Sequence, residues 1–566
     1  MSDKNPFGIN QTKRFVSKGA EDSLYKKHSP RSHGEVELVD YMGGDETVAR
    51  VATAGHGIEF FPEKPNQYDF LKHLVTKRIT EPFMPVQLKF SMQMPIRVAL
   101  AFVYDRNCSV NEYSGRYSEM INSARIPSKE DLVKLVADSE KVAKIHSILI
   151  ETRERTRESY DRLLSSDFAR ELARQGLGTN NDTRFYWLVD LHSLADFVST
   201  QRAKLETTDP TRDYVECVAE IAENVAPDSW DSLMHGRVYS EALDLTMPLD
   251  EEIVDLDLNP ASWKPTETKR IVVPDIEERL FALKKFLDHG QFQAIDYLGD
   301  DSSLAQAART SYGVGTKKLS EDRGLIRTLV RDAHTSPIEM ARLAFESRTP
   351  VFTDPRQSAR HRTLKQHGFM GYTPIGNLFY YPADMEMKYQ DRVNRQGRGK
   401  TMDFQDIELV RKELDETRIL QLGAVKVLRA LGTPEDLVRE LKGVGFHTRR
   451  WRVGDTHNLG SFLRLRLDTH AQMEVRAQAQ QVEEAVKAHT PIAYQAIRDY
   501  RIDSLGLSAG EIDFIKSLGI PSDENLENIE FFSKGKGFVL KREGESPKLS
   551  REGEALQKKL KRLKND

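Results

Sequence analysis

Two short runs in this chain combine residue types that grip anions and read bases. The first, Asn111-Glu112-Tyr113-Ser114-Gly115-Arg116-Tyr117, sets an amide, a carboxylate, a hydroxyl and a guanidinium around one glycine. Gly115 lets the backbone approach a ligand closely, Ser114 donates a hydroxyl hydrogen bond, and Arg116 can hold phosphate oxygens with two N–H groups. Asn111 and Glu112 add an amide and an acceptor that can read a base or a ribose. The second run is Arg356-Gln357-Ser358-Ala359-Arg360-His361-Arg362. In an extended segment Arg360 and Arg362 share a face, and two adjacent cations repel unless an anion, such as a dinucleotide's pyrophosphate, lies between them. A third cluster, Arg466, His470, Gln472 and Glu474, sits in a stretch where Leu459, Phe462, Leu463, Leu467 and Met473 recur at helical spacing. That pattern predicts one long helix over 458–487, with Arg466 and His470 on a common face.

An internal repeat must position these groups. Val36-Glu37-Leu38-Val39-Asp40-Tyr41-Met42-Gly43-Gly44-Asp45 is echoed by Phe292-Gln293-Ala294-Ile295-Asp296-Tyr297-Leu298-Gly299-Asp300-Asp301. Glu81-Pro82-Phe83-Met84 is echoed by Ser336-Pro337-Ile338-Glu339, Arg106 by Arg362, Arg170-Glu171-Leu172 by Arg439-Glu440-Leu441, and the Trp187 segment by the Trp451 segment. A period this long describes two domain-sized copies rather than a solenoid. They span 34–235 and 291–505. Residues 1–33, rich in Lys, Ser, Asn and Gly, read as a mobile arm, 236–290 as an ordered but extended connector, and 506–566 as a charged extension with a solvated helix over 554–564. Leu88–Met92 and Leu343–Ser347 read as strands, closed by Pro95 and Pro350. The fold class expected is α/β in the α+β sense, each copy a mixed sheet with long helices.

Composition narrows the chemistry. Lys+Arg 83 against Asp+Glu 87 leaves a net charge of -4, so no global field draws the protein onto nucleic acid. Two cysteines, Cys108 and Cys217, form no disulfide framework and fit a reducing cytoplasm. No apolar run approaches the ~20 residues of a membrane span, and no signal-peptide core opens the chain. There is no CxxC, HExxH, phosphate-binding glycine loop or GxGxxG, and His56, His334 and His447 are isolated, so no metal is expected. Neither cysteine has a partner that marks an activated thiolate.

Joined end to end, the two anion-binding runs resemble the RHR…S-x-N-E-x-S-G-R-Y signature of flavin-dependent thymidylate synthases. Leu465 to Arg476 likewise resembles that family's L-R-x-D-x-H-A-Q-x-E-I-R helix. The resemblance implies two tandem domains of that family's fold, whose members are homotetramers binding FAD and dUMP where subunits meet. It implies hydride delivery from reduced flavin to a uracil ring that carries a one-carbon unit from methylenetetrahydrofolate, with NADPH as reductant. By the same resemblance Arg466 polarises the uracil ring. Arg360, His361, Arg362, Asn111, Glu112, His457 and His470 serve the cofactor, and Gln357, Glu112, Ser114, Gly115, Arg116 and Arg174 serve the nucleotide.

The copies have lost complementary parts of this set. In the first, the RHR positions read Tyr104-Asp105-Arg106, and Gln201 stands where the helix arginine belongs. In the second, the N-E-x-S-G-R-Y positions read His367-Gly368-Phe369-Met370-Gly371-Tyr372, and Arg170-Glu171-Leu172-Ala173-Arg174 becomes Arg439-Glu440-Leu441-Lys442-Gly443. One full set per chain implies a composite site, and a homodimer that forms a pseudo-tetramer. The family's S-P-F-E-H histidine, implicated in folate-dependent transfer, is replaced by Pro85 and Met340, and His457 stands where an arginine is common. Three readings follow: a dTMP synthase, a related flavoenzyme that modifies a pyrimidine nucleotide with another donor, and a silent nucleotide-binding homologue.

Overall fold

The computed structural model describes residues 10–30, 33–54, 64–103, 108–114, 118–136, 138–205, 209–235, 265–310, 319–353, 365–367, 377–390, 398–433, 438, 441–469, 471–504, 529–530 and 539–540. The first copy holds β1 (Asn10–Thr12), β2 (Lys27–His28), β3 (Glu35–Met42), β4 (Gln87–Pro95), β5 (Cys108–Glu112) and β6 (Asp182–Asp190). The second holds β7 (Thr266–Thr268), β8 (Lys284–Phe286), β9 (Gly290–Leu298), β10 (Arg342–Pro350), β11 (Lys365–His367), a separate hairpin of β12 (Lys388–Gln390) and β13 (Arg398–Thr401), and β14 (His447–Asp455). Two five-stranded sheets follow one plan, β2-β3-β4-β6-β5 and β8-β9-β10-β14-β11. Their ladders run antiparallel, with single parallel bridges at Leu24–Leu38 and Leu280–Ala294. The expected combination of sheet and long helices is therefore present in both copies. Pro95 and Pro350 end β4 and β10 as the sequence predicts, since proline cannot donate to a ladder.

The strand register corrects one detail of the repeat. Phe90 faces Trp187 across the ladder, whereas the matching Phe345 faces Arg452. Trp187 therefore corresponds to Arg452, and Trp451 to Tyr186. In the first copy Phe90, Phe102, Phe185, Trp187 and Phe197 fill the core, with Phe102 packed edge-on against Trp187 at 5.3 Å. In the second copy the positions of Phe185 and Trp187 hold Arg450 and Arg452, both buried.

Residues 10–30 are ordered and anchored rather than a mobile arm, and 266–286 within the connector are their counterpart. Thr12, Arg14 and Glu21 recur as Thr268, Arg270 and Glu277, and the repeated Thr-Lys-Arg triplet is the signal in the sequence. The two arms cross. β1 pairs with β7; Thr12 Oγ1 and the Lys13 amide donate to Glu277 at 2.6 and 3.0 Å, while Thr268 Oγ1 and the Lys269 amide donate to Glu21 at 2.6 and 2.7 Å. The order has a physical cause: Ala20 and Leu24 bury apolar surface, and Arg14 stacks on the Tyr297 ring at 4.0 Å. Lys and Ser richness described the surface of this segment, not its anchors.

A pseudo-two-fold relation governs the contact between copies. The Gly43 amide donates to Asp296 at 3.2 Å, and the Gly299 amide donates to Asp40 at 2.8 Å. Both glycines have φ above 70°, in the left-handed region that favours glycine. The single Arg270 guanidinium lies between those two aspartates, 3.3 Å from Asp40 and 3.2 Å from Asp296. Each chain half presents the same surface to the other, as in an isologous dimer. The cores interleave as well: Val51 of the first copy packs into the second core, and Met42 and Leu188 join Leu298, Ile326 and Met340.

Lys89 breaks the symmetry, because its counterpart is Ala344. Its ammonium is buried, donates to the Met340 carbonyl at 3.2 Å, and lies 5.3 Å from the Tyr186 ring centre. Burial pushes its pKa down to about 8, with Asp40 and Asp300 pulling the other way. The unfolded chain then binds more protons than the folded one between about pH 8 and 10.5, so stability from this group rises with pH. Lys89→Met should flatten the rise in unfolding free energy between pH 8 and 9.5 by roughly 1–2 kcal/mol. Chemical denaturation at those two pH values checks this; equal slopes in both proteins would contradict the assignment.

Candidate functional site

Asn111 and Glu112 close β5, an edge strand, and Tyr113 and Ser114 follow it. Successive side chains alternate across a strand, and here they divide the labour. Asn111 is buried against the second copy: its Nδ2 donates to the Ala307 carbonyl, and its Oδ1 accepts from Ser336 Oγ at 3.2 Å. Glu112 points out to solvent and accepts from Thr183 Oγ1 at 2.7 Å. Two residues earlier, Ser109 Oγ accepts from Arg342 Nη2 at 3.2 Å, and Arg342 also donates to Gln87. β5 therefore docks along the second copy's Ser-Pro-Ile-Glu-Met turn, Ser336–Met340. In the sequence Ser336 stands out only through the Ser336-Pro337 block, and nothing local announces Ala307, Arg342 or Lys89, because their partners are so far away along the chain.

The Arg170–Ala173 helix lies on the first-copy side of the same region. Ala173 packs with Met120 and Tyr160, the Tyr160 hydroxyl accepts from the Met120 amide at 2.8 Å, and Tyr113 donates to the Glu119 carbonyl. Burial raises the Tyr113 pKa, and Arg170 is near enough to oppose that rise. Arg174 starts the next turn and is exposed. Ser114 is half-buried, and its carbonyl accepts from the Ser118 amide at 3.2 Å. The structure thus brings Tyr113, between Glu112 and Ser114, near Arg170, while Ala173 packs on Met120 and Tyr160.

Arg466 is the last residue of the helix Thr456–Arg466, capped at its start by Asp455, which accepts from the Asn458 amide at 2.8 Å. The single long helix expected over 458–487 is instead two, Thr456–Arg466 and Met473–His489. Asp468 and Thr469, whose short polar side chains favour turns, lie in the break, and Gln472 is extended with ψ 135°. Arg466 ends its helix, so the shared helical face expected for Arg466 and His470 does not form. Thr456 donates to the Ala341 carbonyl at 3.0 Å, at the Ser336–Met340 turn. Ten residues of helix place Arg466 about 15 Å along the axis from that point. Burial lowers its pKa from the usual arginine value.

His457 Nδ1 lies 2.7 Å from Arg501 Nη1 and accepts from it. Burial and then Arg501 lower its pKa. Gly115, Arg116, Gln357, Arg360, His361, Arg362 and His470 lie outside the described residues, as do His56 and the 554–564 stretch. His447 is buried between the Leu378 and Asp288 carbonyls, and burial pushes its pKa down to about 4. Cys217 is buried, with its thiol pushed up to about 12, which leaves it no thiolate at neutral pH. Among the described residues no group of three His, Cys, Asp or Glu side chains is placed to hold a metal ion. No helix among them is long and apolar enough to cross a membrane.

Residues 37–228 and 293–492 each match the thymidylate synthase complementing protein family. The flavin-dependent thymidylate synthase of Rickettsia conorii is 39% identical over 266 residues, covering 44% of this chain and 90% of that protein. The enzyme of the same name from Ruegeria pomeroyi is 37% identical over 279 residues, covering 48% and 91%. Among solved structures, the UMP/dUMP methylase PolB from Streptomyces cacaoi bound with 5-Br dUMP aligns with a TM-score of 0.35 at 23% identity, over 38% of this chain and 98% of that one. Twice matched, at the two places where its sheets repeat, the chain belongs to the flavin-dependent thymidylate synthase family.

Proposed function

We propose that the chain makes dTMP from dUMP at a composite site, with the first copy (34–235) holding the nucleotide and the second (291–505) holding FAD and presenting Arg466. The observation that carries this is the docking of β5, through Ser109 and Asn111, onto Arg342 and Ser336 of the other copy. It brings the root of the surviving N-E-x-S-G-R-Y run to the copy that keeps Arg360-His361-Arg362. The donor chemistry fits an anionic dinucleotide: Arg450 and Arg452 lie buried in the second copy where the first has Phe185 and Trp187. A bound reduced flavin would supply hydride at this site, with NADPH as the reductant and methylenetetrahydrofolate as the carbon source of this reading. In this reading Ser114, Gly115, Arg116 and Arg174 hold phosphate, Glu112 and Gln357 orient the nucleotide, and Arg466 stabilises charge on the uracil ring.

A second reading, a pyrimidine-nucleotide flavoenzyme with a different one-carbon donor, is favoured by one observation. The histidine positions hold Pro85 and Met340, both buried. Titration of apoprotein with FAD should saturate near one per chain, and the gene should rescue a thymidine-requiring strain. Two FAD per chain would contradict the composite site; one FAD without rescue would favour the alternative donor. A chain of this kind would work as a homodimer, a pseudo-tetramer with two sites.

A further inference from the structure

We propose that Asn111 is a positioning residue, which latches the first copy's nucleotide run to the second copy and thereby fixes where Glu112 and Ser114 stand. The inference rests on the reading that this run binds a uridine nucleotide. By resemblance Asn111 belongs to the cofactor, but the geometry assigns it other work. Its Nδ2 donates to Ala307 O, one of the last four carbonyls of the helix Asp301–Thr310, which have no partner within the helix. Its Oδ1 accepts from Ser336 Oγ at 3.2 Å. One planar amide thus joins two separate elements of the other copy, the end of a helix and the Ser336–Met340 turn. A carboxylate could not donate to Ala307, and an aliphatic side chain could do neither.

Strand geometry transmits the restraint. Asn111 pairs with Tyr186 in the ladder, so the neighbouring Glu112 must project to the opposite side, where it meets Thr183. Holding Asn111 therefore sets the direction in which the chain leaves β5 toward Ser114. The latch is one-sided. At the matching position of β11, the residue paired with Trp451 is His367, not an amide. The second copy has lost its nucleotide run, and the amide is absent along with it.

The test uses the full-length flavin-loaded protein, with dUMP as probe. Asn111→Ala should weaken dUMP binding about tenfold, and Ser336→Ala about threefold. In both, bound FAD per chain should stay at the wild-type level, and the change should fall on KM for dUMP rather than on kcat. Ser336 is exposed, so its substitution reports even if Asn111→Ala folds poorly. Wild-type dUMP affinity in both variants overturns the latch. Loss of FAD at unchanged dUMP affinity also overturns it, because it returns Asn111 to the cofactor. If the wild-type protein itself takes up no dUMP, the functional reading fails first and the latch with it.

Discussion

Arg466→Lys is expected to keep the fold and the bound flavin yet cut turnover by more than about tenfold. A uracil ring accepts hydride more readily when positive charge stabilises the negative charge that builds on its carbonyl and ring nitrogen. Arg466 is suited to that task because it is buried at the end of a helix that packs into the second core through Leu459, Phe462 and Leu463. Burial lowers its pKa, but a guanidinium starts so high that it remains charged at any working pH. A lysine at the same place offers a point charge without the planar fork, and burial readily deprotonates it. Anaerobic rapid mixing of reduced enzyme with dUMP and methylenetetrahydrofolate follows flavin reoxidation directly. Equal rates in the two proteins would make Arg466 structural. A wild-type enzyme that does not reoxidise would put the weight on Pro85 and Met340, and on a different donor.

Arg270→Met should destabilise the protein by about 3–5 kcal/mol, the usual cost of leaving a buried charge without its partner. Arg270 is 0% exposed and serves Asp40, Asp296 and the Tyr297 carbonyl at 3.3, 3.2 and 2.6 Å, with its guanidinium 4.6 Å from the Tyr41 ring centre. Without it two buried carboxylates face each other across the seam between the copies. Burial already raises the Asp296 pKa, with Arg270 as the chief opposing influence. Asp296 in the variant should therefore hold a proton in the folded state that the unfolded chain releases. Stability in the variant then falls as pH rises, so its deficit should be smaller at pH 5 than at pH 8. Adding Asp40→Asn and Asp296→Asn should restore much of the loss, since no unpaired charge remains. Urea midpoints at both pH values measure this; a deficit under about 1 kcal/mol at pH 8 would show that the hub does not hold the copies together.

Local preferences were legible in the sequence. Pro95 and Pro350 end their strands, as proline's missing amide requires. The two-copy plan was legible too, because a repeat is written directly in the residues. The tertiary structure decided how the copies meet. Thr12 and Arg14 bind the distant Glu277 and Tyr297 rather than their own copy, and no periodicity in a charged, glycine-containing arm encodes that exchange. The break at Asp468–Gln472 was hidden because apolar spacing continues through it, while the backbone follows short polar side chains that favour a turn. Asn111 shows the same limit at the candidate site. Its residue type announces a hydrogen-bonding group, but whether it serves a ligand or a neighbouring copy depends on what folds against it. Ala307 and Ser336, about two hundred residues away, settle that through long-range packing.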